Sequence, residues 1–120
     1  MRIGIVGSRR RNKPKDKRAV EKALQAILKR NRNITIVSGG CPQGGDRFAE
    51  ELAKKYELTI TIFHAKWKKY GRIAGFKRNT HIAKRSDILI ACVAKDRKGG
   101  TEDTIKKFLK KSDSSNLKLV

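Results

Sequence analysis

The chain has 120 residues, of which 38% are hydrophobic, and its 31 Lys and Arg residues against 11 Asp and Glu residues give a formal net charge of +20. This length predicts a single domain over residues 1–120, and no apolar run approaches the ~18 residues that a membrane span needs. The charge favours a polyanion partner, such as nucleic acid, a nucleotide or a membrane surface, or it reflects a lysine-rich proteome like those of heat-adapted organisms.

Apolar strands alternate with amphipathic helices along the whole chain. Asp46 and Thr101 are expected as helix N-caps, and Ala65–Gly75 as a long loop that is both basic and aromatic. In chain order, the pattern predicts a strand at Arg2–Gly7, a helix over about Lys15–Asn31, a strand at Ile34–Ser38, a helix after Asp46, a strand at Leu58–His64, a helix over about Phe76–Arg85, a strand at Asp87–Val93, a helix after Thr101 and a short strand at Leu117–Val120.

This alternation predicts an α/β fold in which helices cover a parallel, doubly wound sheet of about five strands. Several of the strands are almost continuously apolar, which is typical of strands that are buried on both faces. The sequence contains neither an internal repeat nor a low-complexity linker that would indicate a second domain.

The two cysteines and the N-terminal residues indicate the cellular compartment of the protein. Cys41 and Cys92 have no CxxC neighbour and no histidine at ligand spacing, so we expect reduced thiols and no metal site. Met1 leads directly into the first strand, without the apolar segment of a signal peptide. We therefore predict a cytoplasmic protein with no membrane partner and no resident cofactor.

Three of the predicted strands are followed by loops rich in glycine or other small residues. In an open parallel sheet, ligands bind beyond the carboxyl ends of the strands. Glycine lets a backbone approach phosphate oxygens, and the helix N-termini that follow offer unpaired N–H groups, although glycine also suits a tight turn that binds nothing. We expect a phosphate-bearing ligand to contact residues of these loops, which are Gly7, Ser8, Arg9, Ser38, Gly39, Gly40, Gln43, Gly44, Asp46, Arg47, Gly99, Gly100 and Thr101.

Neither standard nucleotide fingerprint occurs. GxGxxG is absent after the first strand and GxxxxGK[ST] is absent throughout, which argues against an ordinary NAD-dependent dehydrogenase or P-loop ATPase. Glu102 and Asp103 fall in the first turn of a predicted helix, where acids favour the helix dipole and where we expect them to face the cleft. A carboxylate beside a ribose binds its hydroxyl groups or takes part in N-glycosidic chemistry.

Two basic stretches suit a polyanion. Arg9–Arg18 holds seven cations and one acid, and Lys66–Arg85 holds eight cations and no acid. The second stretch also carries Trp67 and Tyr70, and aromatics interleaved with cations can stack a base while holding phosphate. The alternative for Trp67 is that it covers the edge of a small core.

Five short motifs, in order along nearly the whole chain, resemble the YspA-like branch of the SLOG superfamily. The resemblance implies a Rossmann-like three-layer sandwich with a pocket for a nucleotide or a nucleotide derivative. It also places Trp67, Arg78 and Asn79 among the ligand-binding residues. The motifs are Gly7–Arg9, Ser38–Arg47, Ala65–Trp67, Ala74–Asn79 and Gly99–Asp103.

The same superfamily includes the LOG phosphoribohydrolases, the DprA DNA-binding proteins and sensors of NAD-derived signals. Arg78 resembles the LOG arginine, and Gly100, Thr101 and Asp103 resemble the glycine–threonine–acid part of the LOG motif P-G-G-x-G-T-x-x-E. The chain lacks that proline, its acid is one residue closer to the threonine, and Asn79 replaces the LOG lysine. The candidate catalytic residues are Arg78, which this resemblance implies, and the two first-turn acids Glu102 and Asp103.

Three functions stay open from the sequence. The first is a sensor or carrier module that binds a nucleotide or a related ribose phosphate. The second is a LOG-like phosphoribohydrolase, which cleaves the N-glycosidic bond of a nucleoside monophosphate. The third is DprA-like, sequence-independent nucleic-acid binding through the basic surfaces. Self-association also stays open, since no segment of the sequence identifies an interface.

Overall fold

Five parallel strands form one sheet at the centre of the protein. The computed structural model describes residues 1–120. Its elements are β1 (Arg2–Gly7), α1 (Pro14–Leu28), β2 (Thr35–Ser38), α2 (Gly45–Lys55), β3 (Thr59–Ile62), α3 (Trp67–Tyr70), α4 (Ala74–Arg85), β4 (Ile88–Cys92), α5 (Gly100–Leu109) and β5 (Leu117–Leu119), with 3₁₀ turns at Gly71–Ile73 and Ser114–Asn116.

The strand order is β3-β2-β1-β4-β5, and every neighbouring pair is parallel. Ile3 at the centre of the sheet pairs with Ile36 of β2 on one side and with Ile88 of β4 on the other. The chain order reverses between β1 and β4, and this switch point opens a crevice at the carboxyl edge of the sheet. The structure thus confirms the predicted α/β fold with a five-stranded parallel sheet.

Helices cover both faces of the sheet and make it the middle of three layers. Ile36 and Val37 are adjacent in β2, and their side chains point to opposite faces because strand residues alternate. Ile36 joins a core with Leu24 of α1 and Phe48 of α2, whereas Val37 joins a core with Phe108 of α5 and with α4. The predicted Rossmann-like sandwich is confirmed. None of the helices is long and apolar enough to cross a membrane.

The predicted N-cap at Asp46 is wrong. α2 begins at Gly45, its N-cap is Gly44 at φ +71°, and Asp46 already lies in the first turn. The reason is a close approach of two segments, because a Cβ placed on Gly45 would collide with backbone atoms of Val6 and Gly7. Only glycine allows the helix to start directly against the end of β1.

Other predicted bounds also need correction. Thr101 does not cap α5, since the cap is Gly99 and Thr101 lies inside the helix. The predicted loop Ala65–Gly75 holds α3, a 3₁₀ turn and the start of α4 at Ala74. Gly71 at φ +57° separates α3 from the next turn and hides the helical periodicity there. The first helix ends at Leu28, three residues earlier than predicted.

Candidate functional site

A cavity of about 860 Å³ opens beyond the carboxyl ends of β1 and β2, and the loop between β4 and α5 completes its wall. Its volume lies within the ~300–1,000 Å³ typical of small-molecule sites. The chain order places it there, because the loops after β1 and β4 diverge on either side of the switch point. The first turns of α2 and α5 and one side of α4 also line the cavity.

Arg78 and Asn79 tie together the two glycine loops that border the cavity. Arg78 donates from Nη1 to the carbonyl oxygen of Gly39 at 2.8 Å and from Nε to Oδ1 of Asn79 at 2.9 Å. Asn79 is buried and donates from Nδ2 to the carbonyl oxygen of Gly100 at 3.3 Å and to Asp103 at 3.2 Å. A Cβ on Gly39 would lie 2.5 Å from Arg78 Nη1, so glycine lets the guanidinium reach the loop.

Asp46 is the single acid in the cavity lining, and it is buried. Its Oδ2 accepts the N–H of Cys41 at 3.1 Å, which holds the β2–α2 loop against the first turn of α2. Burial raises the pKa of Asp46, and the Cys41 N–H and the nearby Arg78 oppose this rise only in part. The site therefore contains one carboxyl group whose ionised form is poorly solvated. This carboxyl group accepts a hydrogen bond from the backbone.

The other charges of the cavity are positive. Arg10 forms a two-fold hydrogen bond with Asp96 at 2.7 and 2.9 Å, and this pair bridges the loops after β1 and β4. Arg9, Arg72 and Lys98 also line the cavity and have no acidic partner. With Arg78, four cations that form no ion pair line the cavity beside one carboxylate, so the cavity is an anion-attracting site.

Two exposed aromatic side chains stand at the mouth of the cavity. Trp67 of α3 is 59% exposed and Phe76 of α4 is 54% exposed, although both line the cavity. A Cβ placed on Gly75 would lie 3.3 Å from Cη2 of the Trp67 ring, so the indole lies against the start of α4. Large apolar side chains left this exposed beside a cavity are available to a flat ligand.

The structure brings most of the sequence-predicted ligand residues together. Those that line the cavity are Gly7, Ser8, Arg9, Gly39, Gly40, Asp46, Trp67, Arg78, Asn79, Gly99, Gly100 and Thr101.

The other predicted residues lie outside the cavity lining, each for a visible reason. Ser38 is fully buried within the sheet layer, and Gly44 is buried against the loop after β1, whereas Gln43 is exposed. The Arg47 guanidinium binds Asn12 and Glu51 instead.

The two predicted catalytic acids also lie outside the lining and have basic partners. Glu102 accepts two hydrogen bonds from Arg97 at 2.7 and 2.9 Å. Asp103 accepts from Lys107 at 2.8 Å as well as from Asn79. Both carboxylates are thus paired with side chains outside the cavity, although Asp103 also contacts the cavity-lining Asn79.

Sequence reasoning missed Arg72, Phe76 and Ile82 in the cavity lining. A signal for the helical residues was available, because Phe76 and Ile82 lie three residues from Asn79 on either side. Residues at that spacing share one helix face. Extending the helix face of Asn79 in both directions within the predicted helix would have found both residues.

The first part of the chain matches a known family. A family model, YAcAr, described as the YspA, cpYpsA-related SLOG family, matches residues 1–70, which run from β1 to α3. Comparisons with curated proteins and with solved structures give no match. The matched segment includes the loops after β1 and β2, which supply Ser8, Arg9, Gly39–Pro42 and Asp46 to the cavity. Because it covers more than half of the 120 residues, the chain belongs to the YspA, cpYpsA-related SLOG family.

Proposed function

We propose that the protein binds a nucleotide or nucleotide-derived ribose phosphate in the cavity at the carboxyl edge of the sheet. The observation that carries the proposal is the composition of the lining. Four cations without an ion pair, Arg9, Arg72, Arg78 and Lys98, line the cavity with a single buried carboxylate, at a place where two helices begin without a side-chain cap. Uncapped N-terminal N–H groups and unpaired guanidinium groups bind phosphate.

In this proposal, the phosphate binds on the α5 side of the cavity. Gly99 and Gly100 begin α5 there, and Lys98 precedes them. Arg9 extends from the opposite loop without an acidic partner. The Arg78 guanidinium is already aligned by Gly39 and Asn79, so it loses little conformational entropy when it binds an anion.

The sugar and base bind toward α2 and the mouth. The Asp46 carboxylate accepts hydrogen bonds, which suits the hydroxyl groups of a ribose and disfavours a second phosphate beside it. Trp67 and Phe76 supply faces on which a base can stack. This assignment explains why the one acid and the unpaired cations occupy different loops of the cavity.

We propose binding rather than hydrolysis because Glu102 and Asp103 form ion pairs outside the cavity lining. Incubating the protein with AMP and looking for free adenine by chromatography tests this choice. Release of adenine would favour the phosphoribohydrolase, and an Asp103→Ala variant would then show whether that acid takes part.

Titration calorimetry with AMP, ADP, ADP-ribose and NAD tests the proposal. We expect binding of at least one of these ligands, and Arg78→Ala should weaken it by tenfold or more through loss of a charge-assisted hydrogen bond. Arg85→Ala is the matched control, since Arg85 lies in the same helix but outside the cavity lining. A folded protein that binds none of the four ligands, or an unchanged affinity in Arg78→Ala, would contradict the proposal.

A further inference from the structure

The segment from α3 to α4 carries a strip of cations that no acid neutralises. We call this strip the basic ridge, and its seven cations are all exposed. Not one of them takes part in an ion pair, although seven ion pairs occur elsewhere in the protein. Arg78 is half-buried in the cavity and is not counted, whereas Arg72 is exposed and belongs to the ridge as well as to the cavity lining. The members of the ridge are Lys66, Lys68, Lys69, Arg72, Lys77, Lys84 and Arg85.

Aromatic rings lie among these cations. The Nζ atoms of Lys69 and Lys77 lie 5.2 and 4.6 Å from the centre of the Tyr70 ring. Trp67 and Phe76 follow at the mouth of the cavity and keep more than half of their surface exposed. The ridge therefore combines unneutralised charge with stacking surfaces on one continuous stretch of chain.

We propose that the basic ridge binds a single-stranded polynucleotide, whose phosphates contact the lysines and whose bases stack on Trp67 and Phe76. Cations along a strip with interleaved aromatics are the features that hold single strands without reading their sequence. In a duplex the faces of the bases are stacked on one another. A duplex would therefore contact the lysines but could not stack its bases on the two aromatic rings. An anionic bilayer is flat, whereas Trp67 and Phe76 line a concave site that a flat surface does not enter.

This proposal does not depend on the small-ligand function. Lys68, Lys69 and Lys77 do not line the cavity, so the two activities separate by mutation. A variant with all three lysines replaced by glutamine should lose polynucleotide affinity and keep its affinity for any nucleotide ligand of the wild-type protein. A failure of the cavity proposal thus leaves the ridge proposal testable, and the reverse also holds.

The test measures fluorescence anisotropy of a labelled 20-nucleotide oligo(dT) over a range of salt concentrations. We expect K68Q/K69Q/K77Q to bind at least tenfold more weakly than wild type at 0.1 M salt. The slope of log affinity against log salt should fall by about 2, since three phosphate contacts contribute about 0.7 each on a single strand. The matched control is K15Q/R18Q/K22Q on α1, which removes three exposed, unpaired charges from the other side of the sheet. We expect the control to change affinity by less than about threefold.

Trp67 is the single tryptophan, so its fluorescence reports stacking directly. We expect quenching when oligo(dT) binds, and Trp67→Ala should weaken binding by about tenfold. Equal weakening in both triple variants would show that net charge alone acts, and would overturn the proposal. So would duplex binding as tight as single-strand binding. Binding to phosphatidylserine vesicles without binding to oligo(dT) would assign the ridge to a membrane instead.

Discussion

The α1–α2 layer and the α3–α4 segment are both rich in cations, but only the α1–α2 layer contains acids that form ion pairs with them. In the α1–α2 layer, Glu21 pairs with Lys55, and Glu51 pairs with both Lys17 and Arg47. The α3–α4 segment has no acid between Lys66 and Arg85. The comparison shows that ion pairing is distributed unevenly, since the first layer pairs Lys17, Arg47 and Lys55 with acids whereas none of the cations of the basic ridge has an acidic partner.

The same two regions also differ in how they use aromatic side chains. Phe48 of α2 is fully buried under the sheet, whereas Phe76 of α4 keeps 54% of its surface exposed beside the cavity. One phenylalanine stabilises the fold and the other is available to a ligand. Mutations in matched pairs across the two regions can separate these roles.

The largest expected effect is on the free energy of unfolding, and it distinguishes the buried Phe48 from the exposed Phe76. Phe48→Ala should lower the free energy of unfolding by about 3–5 kcal/mol, because it removes a fully buried ring. Phe76→Ala should change it by no more than about 0.5 kcal/mol. Urea denaturation followed by circular dichroism measures both. Equal losses would show that Phe76 is a core residue and would remove it from the proposed stacking surface.

The next effect concerns Asp16, the buried acid of α1. It accepts hydrogen bonds from the Arg11 guanidinium at 2.9 Å and from the N–H of Lys13 at 3.1 Å. Asp16→Asn should cost about 1–3 kcal/mol at neutral pH, because an amide cannot accept on both atoms and leaves a donor without a partner. The free energy of unfolding at pH 7 measures this cost, and an unchanged value would rule out a stabilising role for these bonds.

The pH dependence of Asp16 has a definite sign. Burial raises its pKa, but the bonds from Lys13 and Arg11 outweigh burial and hold the pKa below its ordinary value. Its ionised form therefore stabilises the fold above the unfolded pKa of about 3.9, and this contribution disappears as the pH falls through the lowered folded pKa. The stability difference between wild type and Asp16→Asn should shrink on acidification. A difference that does not change with pH would contradict the lowered pKa.

Asp46 in the cavity should behave in the opposite way. Burial raises its folded pKa above the unfolded value, so the folded protein takes up a proton first as the pH falls. Wild type should therefore gain stability relative to Asp46→Asn between neutral pH and about pH 4. Unfolding curves for wild type, Asp46→Asn and Asp16→Asn over this range compare the two acids directly. A shift in the same direction for both would contradict the contrast between a paired acid and a poorly solvated one.

The smallest effect compares a paired lysine with an unpaired one. Lys17→Gln removes the ion pair with Glu51 and should cost about 0.2–1 kcal/mol at low salt. Lys68→Gln on the ridge should be neutral or slightly stabilising, since it removes repulsion from neighbouring cations. Both effects should fade at 1 M salt, where the Debye length is about 3 Å. A loss for Lys68→Gln as large as that for Lys17→Gln would indicate a hidden partner for Lys68.

Much of the site was predictable because it depends on chain order. Parallel strands bring their carboxyl ends to one edge, so the loops holding Ser8, Gly39 and Gly100 had to converge once the strands were found. The roles of Arg47, Glu102 and Asp103 were less accessible, because each depends on a rotamer and on a nearby partner. A sequence pattern places Glu102 at the start of a helix, but it does not reveal that Arg97 takes up its carboxylate.

The sequence by itself determined the alternation of strands and helices, the parallel sheet, the glycine loops and the net charge, because these follow from local periodicity and composition. The tertiary structure alone decided which cations are neutralised and which acid is buried in the cavity. It also decided that the stretch predicted as a basic loop is helical and presents an exposed ridge. Ion pairs and burial depend on residues far apart in the chain, such as Arg10 and Asp96, and only packing brings these residues together.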